Sequence, residues 1–207
     1  MAFMQNPQAI EARSYDLIAA ELGCCRLTPG EKAVLLRIIH ATGDHDYVRL
    51  ISFHPDFITA AVAALKQGAG IFTDIEMVRA GINARLVDSL GGKTFCAIRE
   101  PDVAAEAKKR NITRGMAAME WLAHRMDGGL VVIGNAPTAL FRLLELIEAG
   151  AARPAAVIGV PVGFVGAAEA KEALAGTAVP HVMVRGTKGG SPVAVAAVNA
   201  LLKLAVE

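Results

Sequence analysis

Three times in its second half the chain repeats one grammar: an apolar run, a loop punctuated by glycine, then a helical pattern. The copies are VVIGNAPTALF (residues 131–141), GVPVGFVGAAEAKEAL (159–174) and HVMVRGTKGGSPVAVAAVNALL (181–202). A strand that passes through a short loop into a helix is half of a βαβ crossover. Crossovers of consistent right-handed sense build a mostly parallel sheet covered by helices on both faces. The same alternation extends upstream, with strands predicted over 50–53, 70–73, 94–98, 130–133, 156–160 and 182–184. Helices are predicted over 56–66, 103–110, 113–126, 138–148, 167–174 and 192–204. The expected fold class is therefore α/β, a three-layer α/β/α domain of flavodoxin-like type spanning residues 1–207.

Two helices precede the first strand. Asn6 can cap the first and Pro7 suits its opening position, with Ile10, Leu17 and Ile18 at helical spacing. Thr28-Pro29-Gly30-Glu31 reads as a capping box for the second, which runs to Thr42 before Gly43 supplies a left-handed stop. These helices either close over the carboxyl edge of the sheet or take part in a dimer contact.

A net charge of +1 with 20% charged residues argues against nucleic acid as a partner, since such binders carry a basic bias. Hydrophobic residues make up 54% of the chain, which raises the question of a membrane. Glycine and proline interrupt every apolar run well short of the roughly 20 residues a spanning helix needs, so none is expected. No signal peptide is evident, and a cytoplasmic protein is expected. Cys24 and Cys25 are adjacent and Cys96 stands alone, a pattern that fits neither a disulfide framework nor a zinc site.

Glycine loops between strands and helices gather backbone N–H groups at one edge of a sheet, where they can hold anions. Three of them point to a ligand with several negative charges. GGKT (91–94) lacks the earlier glycine of a phosphate loop and runs into a strand, so it reads as a turn. No G-x-G-x-x-G follows a predicted strand. Ser191, before Pro192, reads as a helix cap and not as a nucleophile, and Cys96 reads as core of a strand.

On the helix 29–42, Val34, Leu35, Ile38 and Ile39 form the apolar face. His40 lies on the opposite side with Arg37 one turn back. This is an ordinary solvated face unless the helix borders a cleft, in which case His40 could donate or accept a proton near neutral pH. His45, His54, His124 and His181 read as structural or exposed, and HATGDHD (40–46) has no metal-ligand spacing. Arg13, Arg37, Arg79, Arg114 and Arg185 fall at helix starts, loops or strand ends. Each alone reads as a surface residue, but several together would suit a polycarboxylate, because guanidinium pairs with carboxylate in a bidentate way. Ser14, beside Arg13, could donate to the same ligand.

The motifs NPQAIEARSY, IIHATGDHDY, TDIEMVRAGIN, NITRGMAAMEW, GNAPTALFRLLE, GVPVGFVGAAEAKEAL and RGTKGGSPVAVAAVNALL, in this order along the chain to about residue 202, resemble those of the precorrin-8X methylmutases, the precorrin isomerases of cobalamin (vitamin B12) biosynthesis. The resemblance implies a flavodoxin-like homodimer that moves a methyl group from C-11 to C-12 of precorrin-8X or cobalt-precorrin-8, giving hydrogenobyrinate or cobyrinate. His40 matches the family's catalytic histidine. Ser14, Arg37, Thr73, Arg79, Arg114, Asn135 and Arg185 are the expected substrate-binding residues. No cofactor is expected, and cobalt would arrive only inside the substrate, a corrinoid polycarboxylate. The segments HATGDHDY and TDIEMVRAGIN look more like the cobalt-using branch. Two alternatives share the composition: a tetrapyrrole carrier without chemistry and an FMN-type anionic cofactor module.

Overall fold

The computed structural model describes residues 4–22 and 26–207; the adjacent Cys24 and Cys25 lie outside the described residues. Among the described residues six strands, β1 (Ile51–Phe53), β2 (Gly70–Thr73), β3 (Lys93–Phe95), β4 (Leu130–Ile133), β5 (Ala156–Gly159) and β6 (His181–Val184), form one sheet in the order β1-β6-β5-β4-β2-β3. All neighbours are parallel except β1, which pairs antiparallel with β6 at the edge. The five parallel strands follow the doubly wound flavodoxin-like order, whose direction of winding reverses between β2 and β4.

Strand side chains alternate between two cores. Ile71, Leu130, Val132, Ala156, Ile158, Val182 and Val184 face one side, and Phe72, Val131, Ile133, Val157 and Met183 face the other. Because both faces are covered, the central β4 (LVVI) and β5 (AVIG) are apolar without a polar alternate, the expected signature of a buried parallel sheet.

On the first face pack α2 (Pro29–Thr42), α4 (Phe57–Lys66), α5 (Glu76–Gly81), α6 (Ala84–Ser89) and the long α11 (Ser191–Val206). The second face is covered by α7 (Pro101–Arg110), α8 (Arg114–Leu122) with the 3-10 turn Ala123–Arg125, α9 (Pro137–Glu148) and α10 (Ala167–Ala175). Val34, Leu35, Ile38 and Ile39 of α2 are buried in the first core, where α2 packs on α11. The first helix, α1 (Pro7–Glu21), lies against α2 and buries Ile18, while Ile10 and Leu17 remain 42% and 52% exposed.

The caps read from sequence are present. Asn6 accepts from the Ala9 N–H, both halves of the Thr28/Glu31 box are formed, and Gly43 closes α2 with φ +65°. Three short helices escaped the sequence reading: α3 (Tyr47–Leu50), α5 and α6. Each is six residues or fewer, too short to display a period. A tertiary contact settles the last two: Asn199 on α11 accepts from the Asn83 N–H (2.9 Å) and donates to the Gly81 carbonyl (3.0 Å), holding the α5–α6 turn. Two further expectations need correcting. Ser191 is the first residue of α11 and Gly190 occupies the cap, with no side-chain cap bond. Strand β3 stops at Phe95, so Cys96 follows the strand and is half-buried.

Candidate active site at the carboxyl edge of the sheet

In a doubly wound sheet the crevice outside the strand carboxyl ends, where the winding reverses, is the natural ligand position. Here that point is closed from within. The Asp74 carboxylate, 1% exposed at the end of β2, accepts from the Gly134 N–H (3.0 Å), the Asn135 N–H (2.9 Å) and the Ala136 N–H (2.8 Å) at the end of β4. Burial pushes its pKa above the ordinary range, outweighing the three N–H donors that pull it down. The loop expected to offer these donors to an anion therefore spends them on Asp74, and an FMN phosphate would meet a carboxylate there.

The other two glycine loops, between β5 and α10 and between β6 and α11, form one plate. Gly163 N–H donates to the Thr187 carbonyl (3.1 Å) and Gly190 N–H to the Val160 carbonyl (2.8 Å). Gly189, at φ +150°, brings its backbone so close to Val160 that a Cβ would stand 2.3 Å from the Val160 oxygen. Glycine alone permits that approach. The outer rim of the plate is apolar and open to solvent: Phe164 is 93% and Val165 89% exposed.

Beneath the plate lies Lys171 of α10, fully buried, its ammonium donating to the Pro161 carbonyl (3.1 Å) and the Lys188 carbonyl (2.8 Å). Burial lowers its pKa from 10.5 to about 8. The unfolded chain thus keeps this proton to higher pH than the folded one, so Lys171 makes stability rise between about pH 8 and 10.5. Urea unfolding at pH 8 and pH 10 is expected to show the wild-type protein gaining stability relative to Lys171→Met. A constant difference between the two proteins would refute this. Neither Asp74 nor Lys171 is among the candidates read from the sequence. Lys171 did leave a signal: it shares the i, i+3, i+4, i+7 stripe Ala167, Ala170, Lys171, Leu174, all buried.

Lys188 connects the plate to the histidine helix. Its ammonium donates to Asp44 Oδ2 (2.6 Å) and Asp46 Oδ2 (2.8 Å), just past the end of α2. The pairing holds the Asp44 carboxyl below its usual range and pushes the Lys188 ammonium upward. Tyr47, which follows, is buried, and burial pushes its phenol up.

His40 stands on the last turn of α2, half-buried, with the Tyr15 ring of α1 5.3 Å away. Arg37, one turn earlier, donates to Glu11 Oε1 (3.1 Å) and the Tyr15 hydroxyl (3.3 Å). The supposed outer face of α2 is thus covered by α1, leaving neither residue fully solvated. A cavity of about 490 Å³ opens beside Arg37, bordered by Glu11, Tyr15, Asn83, Asn199 and Lys203. Ser14, next to Tyr15 on α1, donates its hydroxyl to the Ile10 carbonyl (2.8 Å). Ser14, Arg37 and His40 therefore belong to one α1–α2 unit.

The remaining candidates fall at the sheet edge. Thr73 is buried at the end of β2 and donates to the Phe95 carbonyl (3.3 Å). Arg79 on α5 is engaged by Glu76, Nε and Nη2 lying 2.9 and 2.7 Å from one carboxylate oxygen. The half-buried Cys96 thiol adjoins Thr73 and Glu76, and burial raises its pKa. Arg114 begins α8, beside the Thr113–Thr138 hydroxyl contact (2.8 Å) that ties α8 to α9. The side chains of Arg114, Asn135 and Arg185 are exposed, and those of Arg114 and Arg185 make no hydrogen bond or ion pair among the described residues. His181, by contrast, is buried in β6 with Nδ1 2.8 Å from the Val179 carbonyl, and burial lowers its pKa. Among the described residues no group of three or more His, Cys, Asp or Glu could hold a metal, and no helix is long and apolar enough to cross a membrane.

Fold and site together define a doubly wound α/β protein whose titratable, cationic and apolar groups gather around the carboxyl edge, with the dinucleotide and flavin solutions unsupported. The family model for precorrin-8X methylmutase matches residues 9–204, and the chain belongs to that family, the isomerases of cobalamin biosynthesis. It is 53% identical over 178 residues to a cobalt-precorrin-8 methylmutase of Methanothermobacter thermautotrophicus, covering 86% of this chain and 82% of the relative. Identity to a precorrin-8X methylmutase of a Sinorhizobium species is 44% over 204 residues, covering 97% and 96%. The solved precorrin-8X methylmutase of Thermus thermophilus superposes with a TM-score of 0.89 at 40% identity, covering 96% of each chain.

Proposed function

We propose that this chain moves the methyl group from C-11 to C-12 of precorrin-8X or cobalt-precorrin-8, with His40 as proton or hydrogen-bond donor to the macrocycle, and needs no cofactor of its own. The observation that carries this is the position of His40. It is half-buried on the last turn of α2, and the residues directly beyond that turn are tied by Lys188 to the glycine-loop plate. A donor at such a rim can draw electron density from the conjugated ring as the methyl migrates. The pocket then contributes by holding the ring in a reactive shape. The exposed Arg114, Asn135 and Arg185, together with Ser14, Arg37 and Arg79, supply the polar contacts to the substrate carboxylates, whereas Thr73, fully buried with its hydroxyl on the Phe95 carbonyl, shapes the floor beneath them. The apolar rim at Phe164 and Val165 meets the ring itself. The motifs HATGDHDY and TDIEMVRAGIN incline the reading toward the cobalt-containing substrate.

Time-resolved visible spectra of the protein with precorrin-8X, and separately with its cobalt form, test the reading. Conversion to the fully conjugated corrin spectrum is the expected result, and the substrate converted faster names the branch. Binding with an unchanging spectrum would instead indicate a carrier, and no binding would end the corrinoid reading.

We further propose that the enzyme works as a cytoplasmic homodimer in contact through α1, because Ile10 and Leu17 leave an apolar stripe on that helix. The double variant Ile10→Glu, Leu17→Glu is expected to sediment at half the mass of the wild type. An unchanged mass would place any contact elsewhere.

A further inference from the structure

A fully buried ammonium is expensive even when paired, because burial removes it from water. Lys171 has no carboxylate partner among the described residues and only two carbonyl oxygens as acceptors. Its neighbours on the same helical stripe are alanine and leucine, so an apolar side chain of similar length would pack there at lower cost. What the ammonium achieves is directional. One acceptor, Pro161, lies in the β5–α10 loop, and the other, Lys188, lies in the β6–α11 loop. The Lys188 side chain in turn holds Asp44 and Asp46, next to the turn that carries His40. A continuous path of hydrogen bonds therefore runs from α10 through both glycine loops to the end of α2.

We infer that Lys171 is a positioning residue, a buried clamp that fixes the apolar rim Val162–Val165 relative to His40. This inference rests on the isomerase reading given above. The clamp touches no substrate atom. It sets the distance between the surface that receives the ring and the group that donates to it, and misplacement by about 1 Å can cost on the order of 100-fold in rate.

Lys171→Met is one atom shorter, keeps an unbranched side chain and removes the ammonium together with both of its hydrogen bonds. The variant is expected to remain folded, with its melting temperature equal to or above that of the wild type at pH 7.5. Its kcat should fall about 10- to 100-fold while KM changes less than about threefold. A residue needed only for folding would instead lower the melting temperature and leave kcat intact in the folded fraction. In the free protein, amide exchange at Gly163 and Gly190 is expected to accelerate in the variant, a readout that requires no turnover. Wild-type kcat in the folded variant, or unchanged exchange at both glycines, would overturn the clamp. If Lys171→Met does not fold, Lys188→Met cuts the same path at its far end and must show the same kcat loss at unchanged KM; full kcat there overturns the proposal. Failure of the wild-type protein to isomerise either substrate would remove the functional reading, while the exchange measurement would still decide whether Lys171 joins the loops.

Discussion

His40→Ala is expected to bind the corrinoid and lose most of its turnover. A positioned acid or hydrogen-bond donor contributes about 10²- to 10⁴-fold, and kcat should fall by that range. The dissociation constant, followed by titrating the visible spectrum of the bound macrocycle, should move less than about threefold. The fold should tolerate the change. His40 is half-buried at the end of α2, and its ring contact is with Tyr15 alone among the described residues, while the buried face Val34, Leu35, Ile38 and Ile39 is untouched. Alanine is also the better helix former. A fall in kcat with an intact melting temperature would mark a chemical role for His40. Near wild-type turnover would end its assignment and leave the pocket acting by shape.

Asp74→Ala acts on the fold instead. Three N–H groups, from Gly134, Asn135 and Ala136, would lose their acceptor: Asp74 is 1% exposed and its bond from Gly134 is buried, while those from Asn135 and Ala136 are half-buried. An unsatisfied buried donor costs about 1–3 kcal/mol. Part of the loss will be recovered by a water entering the space of the missing carboxylate. The expected net loss is about 3–5 kcal/mol, or roughly 10 °C in melting temperature for a chain of this size. Calorimetry measures it directly. A loss below about 1 kcal/mol would mean that the β2 and β4 ends do not depend on this carboxylate. Since burial already raises the Asp74 pKa, Asp74→Asn separates charge from acceptor. The amide can still accept two of the bonds, but its NH₂ would face the Gly134 N–H, so an intermediate loss is expected.

The reading of the strands shows where local pattern suffices. Apolar runs bounded by glycine placed β2 and β4 at 70–73 and 130–133, and the Thr28/Glu31 box with Gly43 placed α2 at 29–42, all as observed. These signals are strong because one short segment contains the whole cause, a buried strand or a capped helix. The reading failed for α3, α5 and α6 because no periodic stripe fits in four to six residues. It also failed for the end of β3, because pairing with β2 stops after three residues. For the site, glycine spacing indicated loops at one edge, but not that Asp74 would occupy the donors of the first loop. Arg37 and His40 could be put on one side of α2, yet nothing local indicated that α1 would cover that side and bring Glu11 and Tyr15 to Arg37.

By itself, then, the sequence determined the alternation of strands and helices, the capped ends of α1 and α2, the glycine loops and the family to which the ordered motifs belong. Each rests on neighbours in the chain or on the order of segments along it. Tertiary structure alone decided the antiparallel placement of β1, the closing of the switch point by Asp74, the burial of Lys171 under two loops and the tie from Lys188 to the end of α2. Those are contacts between residues as much as 144 apart in sequence. Their energy depends on distance, direction and exclusion of water, which exist only once the layers have packed.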